Sequence, residues 1–126
     1  MTEPVMDLAA VHLVFMERFN AGDIDGLLAM NAPGVVFVPA PGQPVSEPEA
    51  VRAGLEQFLG LGGQIRMAPR HAFVSGTVGL AIADWTLEGT APDGSPLSLA
   101  GSTTDVAVFD ETHGWRVAID NPFGTV

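Results

Sequence analysis

Hydrophobic residues recur at helical spacing in the first half of the chain. Between residues 4 and 20 they stand three or four positions apart and form one face of a predicted helix: Leu8, Val11, Phe15 and Phe19. Gly22 is a natural helix end, and Asp23 is placed to cap a second short helix over residues 23–31. The same spacing predicts a third helix over residues 46–59.

From residue 64 onward the hydrophobic period changes from 3.6 to 2, which is typical of strands. Turn residues divide this half into four predicted strands, at 64–76, 79–90, 97–109 and 115–123. The Asp93-Gly94 pair is the strongest turn signal. One more short strand is predicted over 34–39. Helices followed by an antiparallel meander predict an α+β fold, in a single domain over residues 1–126.

Charge and composition narrow the classes of partner. The 126 residues have a formal net charge of −10, and 47% of them are hydrophobic. A surface this acidic repels phosphate backbones and anionic lipid, so we expect no nucleic-acid or membrane partner. The chain has no cysteine, which excludes disulfides and thiolate chemistry. Glu3 and Asp7 stand where a signal peptide needs positive charge, and we therefore expect a cytoplasmic protein.

Three stretches of the chain resemble the NTF2-like superfamily, whose fold is a cystatin-like α+β cone. They are FNAGDIDGLLAMNAPGVVFV, SEPEAVRAGLEQFL and STTDVAVFDETHGWRVAIDNPFG, within a similarity that runs over residues 5–124. The chain is most similar to the SnoaL-like and SgcJ/EcaC-type branch. The resemblance implies three N-terminal helices packed on a strongly curved, mostly antiparallel sheet, a deep apolar cavity, and a homodimer formed through the outer sheet face.

The resemblance does not by itself imply one activity. Relatives catalyse ketosteroid isomerisation, polyketide ring closure, epoxide hydrolysis or dehydration, and others bind ligands or assemble without chemistry. At the positions of the isomerases' tyrosine, aspartate base and protonated aspartic acid, this chain has Phe15, Pro39 and Ser102. Isomerisation by that mechanism is therefore not expected. Epoxide hydrolases use an Asp-Arg-Asp arrangement, and strand alternation turns none of the arginines clearly inward.

Strand alternation, anchored on the same resemblance, predicts which side chains line the cavity. They are Phe15, Phe19, Phe37, Met67, His71, Phe73, Trp85, Leu87, Ser102, Thr104, Ile119, Asn121 and Phe123. An apolar lining with a few polar groups is typical of small-molecule sites. Trp85 offers an indole N–H, and Asn121 offers both a donor and an acceptor. Ordinary core packing is the alternative for the aromatic residues.

His71 is the candidate acid–base group in this predicted lining, because imidazole changes its charge near neutral pH. The alternative is a histidine of the sheet that is bonded to a neighbouring residue. His12 lies near the edge of the helix face that holds Phe15, from which it could also reach the cavity.

Three aspartates interrupt the apolar strands, namely Asp84, Asp105 and Asp120. Alternation predicts that all three point to the outer face of the sheet, where Arg66, Arg70 and Arg116 are natural partners. If the alternation is displaced by one residue, Asp84 takes the place of Trp85 in the cavity and becomes a second catalytic candidate.

Two functional hypotheses follow. The first is a protein that binds a small apolar molecule in its cavity without catalysis. The alternative is a SnoaL-like isomerase, cyclase or dehydratase that transfers protons on a small apolar carbonyl compound, with His71 or Asp84 as the acid–base group. We expect no cofactor, and no metal, because no two histidines have ligand spacing.

Overall fold

Three helices stand in the first half of the chain. The computed structural model describes residues 3–126. A single 3-10 turn at Leu8–Ala10 leads into α1 (Val11–Asn20), which is followed by α2 (Ile24–Leu28) and α3 (Pro48–Gly60). The first predicted helix therefore begins later than its apolar spacing suggests, because the Asp7 carboxylate caps the 3-10 turn by accepting from the Ala9 N–H.

The junction between α1 and α2 is the one that the sequence predicted. Gly22 has a φ of 69°, a left-handed conformation that glycine adopts without steric cost. Asp23 then accepts a hydrogen bond from the Gly26 N–H at 2.9 Å and caps α2. This tight turn returns the chain to the sheet.

Six strands form one sheet in the order β2-β1-β6-β5-β4-β3. Their bounds are β1 (Asn31–Ala40), β2 (Gln43–Val45), β3 (Gln64–Ser75), β4 (Val78–Thr90), β5 (Pro96–Asp110) and β6 (Gly114–Asn121). The antiparallel meander predicted for the second half is confirmed, and β1 joins it in parallel with β6. The strand β2 was not predicted, because its segment contains proline and glycine and has only three residues.

The helices pack on the concave face of the curved sheet, and the α+β fold class predicted from the sequence is confirmed. The core lies between α1, α3 and the inner residues of β1, β4 and β6. Asn20, at the end of α1, holds the start of β3: its side chain donates to the Ile65 carbonyl at 2.9 Å and accepts from the Ile65 N–H at 2.8 Å. This contact fixes one end of α1 against the sheet.

Two β-bulges change which residues face inward. In β3, Pro69 pairs with Ala83 but His71 pairs with Ile82, so Arg70 is an extra residue. In β6, Val117 and Ile119 pair with consecutive residues of β5, so Ala118 is an extra residue. An extra residue shifts the alternation of side chains by one position. Beyond each bulge, the inward set of residues is therefore the opposite of that given by simple alternation.

No helix in residues 3–126 is both long and apolar enough to cross a membrane. The cytoplasmic location stays a prediction from the sequence.

Candidate functional site

A cavity lies between the helices and the concave face of the sheet. The volume that the centres of water-sized molecules can occupy is about 50 Å³. The whole empty space between the walls, which includes the open mouth, is about 690 Å³. Most of the wall is apolar and aromatic: Val11, Phe15, Phe19, Met30, Phe37, Leu55, Phe58, Ile65, Met67, Trp85, Leu87, Val117 and Pro122. The polar lining residues are His12, Asn31, Thr103, Asp105 and Asp120. A concave, mostly apolar space with a few convergent polar groups is typical of a small-molecule site.

The aromatic wall is built from two pairs of rings. Phe15 and Phe19, one turn apart on α1, stack with their ring centroids 5.9 Å apart. Phe37 of β1 meets Phe58 of α3 edge-on at 6.3 Å. Gly54 makes this second pair possible, because a Cβ at that position would lie 2.6 Å from the Phe37 ring. The side chains of α1, α3 and β1 thus fix the shape of the apolar wall.

The polar side of the cavity is centred on a buried pair between α1 and β5. His12 Nε2 donates to Asp105 Oδ2 at 2.5 Å, and the two residues are only 4% and 5% exposed. A charge that is buried without a partner is costly, so a partner at hydrogen-bond distance is what each group needs here. The pair therefore ties the helix to the sheet at the cavity wall.

The other oxygen of Asp105 is also fully engaged. Asp105 Oδ1 accepts from the Thr103 hydroxyl at 2.9 Å and from the Asn121 N–H at 2.9 Å. Asp105 thus receives three hydrogen bonds from α1, β5 and β6, which fix its carboxylate in one orientation. A ligand would have to displace one of these donors in order to bind Asp105 directly.

Asp120 stands directly opposite Asp105 in the β5–β6 pair. Burial raises the pKa of the Asp120 carboxyl well above its usual range, and the neighbouring Asp105 charge raises it further. A raised pKa favours the protonated form of Asp120. The Asp120 side chain lines the cavity and has no hydrogen-bond partner at hydrogen-bond distance among residues 3–126, so its oxygens are available to a ligand.

The structure places six of the predicted lining residues in the cavity wall. They are Phe15, Phe19, Phe37, Met67, Trp85 and Leu87. The indole N–H of Trp85 is not free for a ligand, because it donates to the Pro122 carbonyl at 2.7 Å. Gly101, opposite Trp85 on β5, leaves room for the indole, since a Cβ there would lie 3.1 Å from the ring. Trp85 thus presents its apolar ring to the cavity.

The inward orientation predicted for the other residues is wrong. The cavity wall does not include His71, Phe73, Ser102, Thr104, Ile119, Asn121 or Phe123. The Arg70 bulge turns His71 and Phe73 to the outer face. On β5, Trp85 pairs with Gly101, so the inner residues are Thr103 and Asp105 and not their neighbours. Asn121 instead builds the C-terminal turn, where its amide donates to the Gly124 carbonyl at 2.7 Å.

Neither predicted catalytic candidate is brought to the cavity. His71 is exposed and stacks on Phe73, with 5.5 Å between the ring centroids. Asp84 is exposed on the outer face, as simple alternation predicted, and it accepts from the Ser102 hydroxyl at 2.7 Å and from Arg70 at 3.4 Å. We therefore propose no catalytic role for either residue.

The outward orientation predicted for Asp105 and Asp120 is wrong, because both residues line the cavity. Of the predicted Asp–Arg pairs on the outer face, only Arg70–Asp84 is present among the described residues, while Arg116 pairs with Asp110 at 3.0 Å. Within residues 3–126, no group of three or more histidine or acidic side chains is arranged to hold a metal ion.

Comparisons with known proteins agree with this architecture. A conserved protein from Planctomyces limnophilus DSM 3776 superposes with a TM-score of 0.74 at 19% identity, covering 88% of each chain. A ketosteroid isomerase-like protein from Erwinia carotovora atroseptica SCRI1043 gives a TM-score of 0.76 at 14% identity, covering 90% of this chain and 89% of the other. The Delta 5-3-ketosteroid isomerase from Mycobacterium sp. superposes with a TM-score of 0.65 at 19% identity, covering 92% of this chain and 91% of the other.

At these identities the solved structures support the fold alone. No curated protein matches the sequence significantly. The model of the SnoaL-like domain family, however, matches residues 14–120, which span every helix and strand of the molecule at least in part. The chain therefore belongs to the SnoaL-like domain family, within the NTF2-like superfamily.

Proposed function

We propose that this protein binds a small, largely apolar molecule in the cavity between α1, α3 and the concave sheet face. The observation that supports the proposal most is the placing of one polar cluster, His12, Asp105 and Asp120, on a wall that is otherwise apolar. Burying the Asp105 carboxyl and the His12 imidazole, and partly burying the Asp120 carboxyl, costs free energy that apolar packing would avoid. A site that orients a ligand gives a reason for such a cluster.

The cavity limits the size of the ligand. About 50 Å³ is enough for a few water molecules, and an engineered apolar cavity of about 150 Å³ holds benzene. We therefore infer that the enclosed part takes a few heavy atoms of the ligand, next to the polar cluster. The remainder of the ligand lies in the open mouth against the aromatic wall.

Binding of small test compounds, before and after the cavity is blocked by a mutation, tests this proposal. The test compounds are cyclopentylamine, cyclopentanol and cyclopentanone, which have similar shapes. We expect at least one to shift the NMR signal of the Trp85 indole. Val117→Phe places a ring in the cavity and is expected to weaken that binding at least tenfold, because Val117 lines the cavity wall.

Val126→Phe is the matched control, since Val126 is 80% exposed at the chain end. This variant is expected to bind as the unaltered protein does. The proposal fails if none of the three compounds shifts the Trp85 signal, or if Val117→Phe binds as tightly as its control.

Acid–base catalysis on a small carbonyl compound is the second candidate function. It is favoured by the protonated Asp120 beside the His12–Asp105 pair, since a proton donor and acceptor in one cavity can catalyse isomerisation, cyclisation or dehydration. A carbonyl also needs a donor that holds it in place, however, and the Trp85 and Thr103 donors are engaged within the protein, which leaves the amide of Asn31 and the protonated Asp120 itself. We therefore rank binding first.

We also propose that the protein forms a homodimer through the outer face of the sheet. One row on the outer face is apolar across four neighbouring strands, β3 to β6: Phe73, Leu80, Val106 and Ile119. Phe73 is 57% exposed, and the ends of the neighbouring strands add Val78 at 48%. Contiguous exposed apolar surface of this kind marks interfaces, and a twofold dimer places the same patch on both subunits.

Phe73→Glu is expected to convert the dimer to a monomer in sedimentation analysis, because it places a charge in the apolar row that forms the proposed interface. The matched control is Leu13→Glu on α1, where Leu13 is 45% exposed and the dimer is expected to persist. A monomer in the unaltered protein at micromolar concentration would contradict the proposal.

A further inference from the structure

We propose that the ligand of this cavity is a small hydrophobic amine, bound as its ammonium ion by the Asp120 carboxylate. The inference rests on the proposed binding function and names the chemical class of the ligand. It follows from three properties of the cavity: which hydrogen-bonding groups are already engaged, which sign of charge the wall has, and what the apolar wall is made of.

The first property is an excess of acceptors. His12 donates to Asp105, the Thr103 hydroxyl donates to Asp105, and the Trp85 indole donates to a backbone carbonyl. The polar groups of the lining that stay available are the Asp120 carboxyl and the Asn31 amide, and three of their four polar atoms are oxygens. Because a buried acceptor is satisfied by a donor, a ligand with N–H groups fits this position better than a ketone or an ether does.

The second property is the charge of the wall. The titratable groups that line the cavity are His12, Asp105 and Asp120, and the lining contains no arginine. The one cationic candidate, His12, is bonded to Asp105. The whole chain has a net charge of −10 and no lysine, so the surrounding potential favours a cation and opposes an anion.

The third property is the aromatic wall, which distinguishes an organic ammonium ion from a metal ion. Calcium and magnesium ions need about six oxygen ligands, whereas this cavity offers few oxygens and no arranged group of three ligating side chains among the described residues. An ammonium group needs few acceptors, and its cation is attracted to the faces of phenylalanine and tryptophan rings. Phe15, Phe37, Phe58 and Trp85 supply such rings.

Binding has a defined proton balance. Without ligand, burial and the adjacent Asp105 carboxylate keep the pKa of Asp120 raised, which favours its protonated form. An ammonium ion in contact with Asp120 stabilises the carboxylate, so that the proton leaves to the solvent. The complex then contains the ammonium ion beside the Asp120 carboxylate, and binding of the amine is accompanied by release of protons.

The three cyclopentyl compounds test the ligand class at pH 7.5, since they differ only in the polar group. We expect cyclopentylamine to bind at least tenfold more tightly than cyclopentanol or cyclopentanone. Asp120→Asn keeps the shape but removes the charge, and it is expected to weaken amine binding at least tenfold while changing alcohol binding less than threefold. Asp84→Asn, at an exposed aspartate on the outer face, is the matched control and is expected to leave both affinities unchanged.

Calorimetry of the unaltered protein gives a second readout that needs no variant. In two buffers of different ionisation enthalpy, the binding heats are expected to differ in the direction that corresponds to release of protons. The ligand class is overturned if the alcohol or the ketone binds as tightly as the amine, or if amine binding releases no proton. If the alcohol or the ketone binds as tightly as the amine, the proposed binding function still stands. Failure of all three compounds to bind overturns the binding function as well.

Discussion

Replacing His12 with leucine will destabilise the protein by about 3–5 kcal/mol, the usual cost of leaving a buried charge, here the Asp105 carboxylate, without its partner. The His12–Asp105 contact is 2.5 Å long and both residues are almost fully buried. Leucine fills a similar volume but leaves Asp105 without its partner on α1. Urea denaturation of the variant and the unaltered protein measures the difference in the free energy of unfolding.

An exposed ion pair of the same protein provides the control. Arg70 and Asp84 approach to 3.4 Å on the outer face, where both side chains are about half exposed. Exposed pairs contribute about 0–1 kcal/mol, so Asp84→Asn is expected to change the free energy of unfolding by less than about 1 kcal/mol. An effect of His12→Leu as small as that of the control would contradict the role of the buried pair.

Asp120→Asn will make the protein more stable at pH 8.5, by up to about 1.4 kcal/mol for each unit by which the pKa of Asp120 is raised. Burial and Asp105 raise the pKa of Asp120 in the folded protein well above the usual value of 3.8. Between these two pKa values the unfolded chain binds fewer protons than the folded one, so the stability of the unaltered protein falls as the pH rises. Asparagine resembles the protonated carboxyl but cannot ionise.

Urea denaturation at pH 5.5 and pH 8.5 measures this effect. The gain from Asp120→Asn is expected to be larger at pH 8.5 than at pH 5.5, because the folded protein increasingly has to hold a buried charge as the pH rises. Asp84→Asn is again the control, and its small effect is expected to be similar at both pH values. A gain from Asp120→Asn that does not grow with pH would contradict the raised pKa.

The helices and the meander could be predicted from the sequence because the spacing of apolar residues is characteristic of each. The apolar residues of α1 return every three or four positions, and those of β4 return every two. The cap at Asp23 and the turn at Gly22 involve residues that are neighbours in the sequence, so they could be predicted without knowledge of the tertiary fold. The aromatic wall followed from the same periodicity, since Phe15 and Phe19 share one helix face.

The predicted inner face of β5 was inverted because alternation within one strand does not include the register between two strands. Thr90 pairs with Pro96, so facing residues of β4 and β5 have numbers of the same parity. Trp85 consequently lies opposite Gly101, on the same face as Thr103 and Asp105. The loop over residues 91–95 contained this information, since the number of residues in a hairpin loop fixes the register of its strands.

The bulges and the buried pair depend on tertiary contacts. Pro69 gave a partial signal for the first bulge, because proline has no N–H and is tolerated beside such irregularities. Nothing in the sequence around Ala118 marks the second one. His12 reaches Asp105 across 93 residues of chain, so its burial follows from the packing of α1 on the sheet and not from any local pattern.

The central claim is that Asp105 and Asp120 face the cavity together and that Asp120 stays protonated there. Carboxyl-carbon NMR of aspartate-labelled protein, recorded as a function of pH, measures this directly. The structure predicts that the Asp120 signal stays that of a protonated acid above the pH at which a free aspartic acid, with a pKa of about 3.9, has ionised. An Asp120 signal that titrates as a free aspartic acid does would contradict the claim.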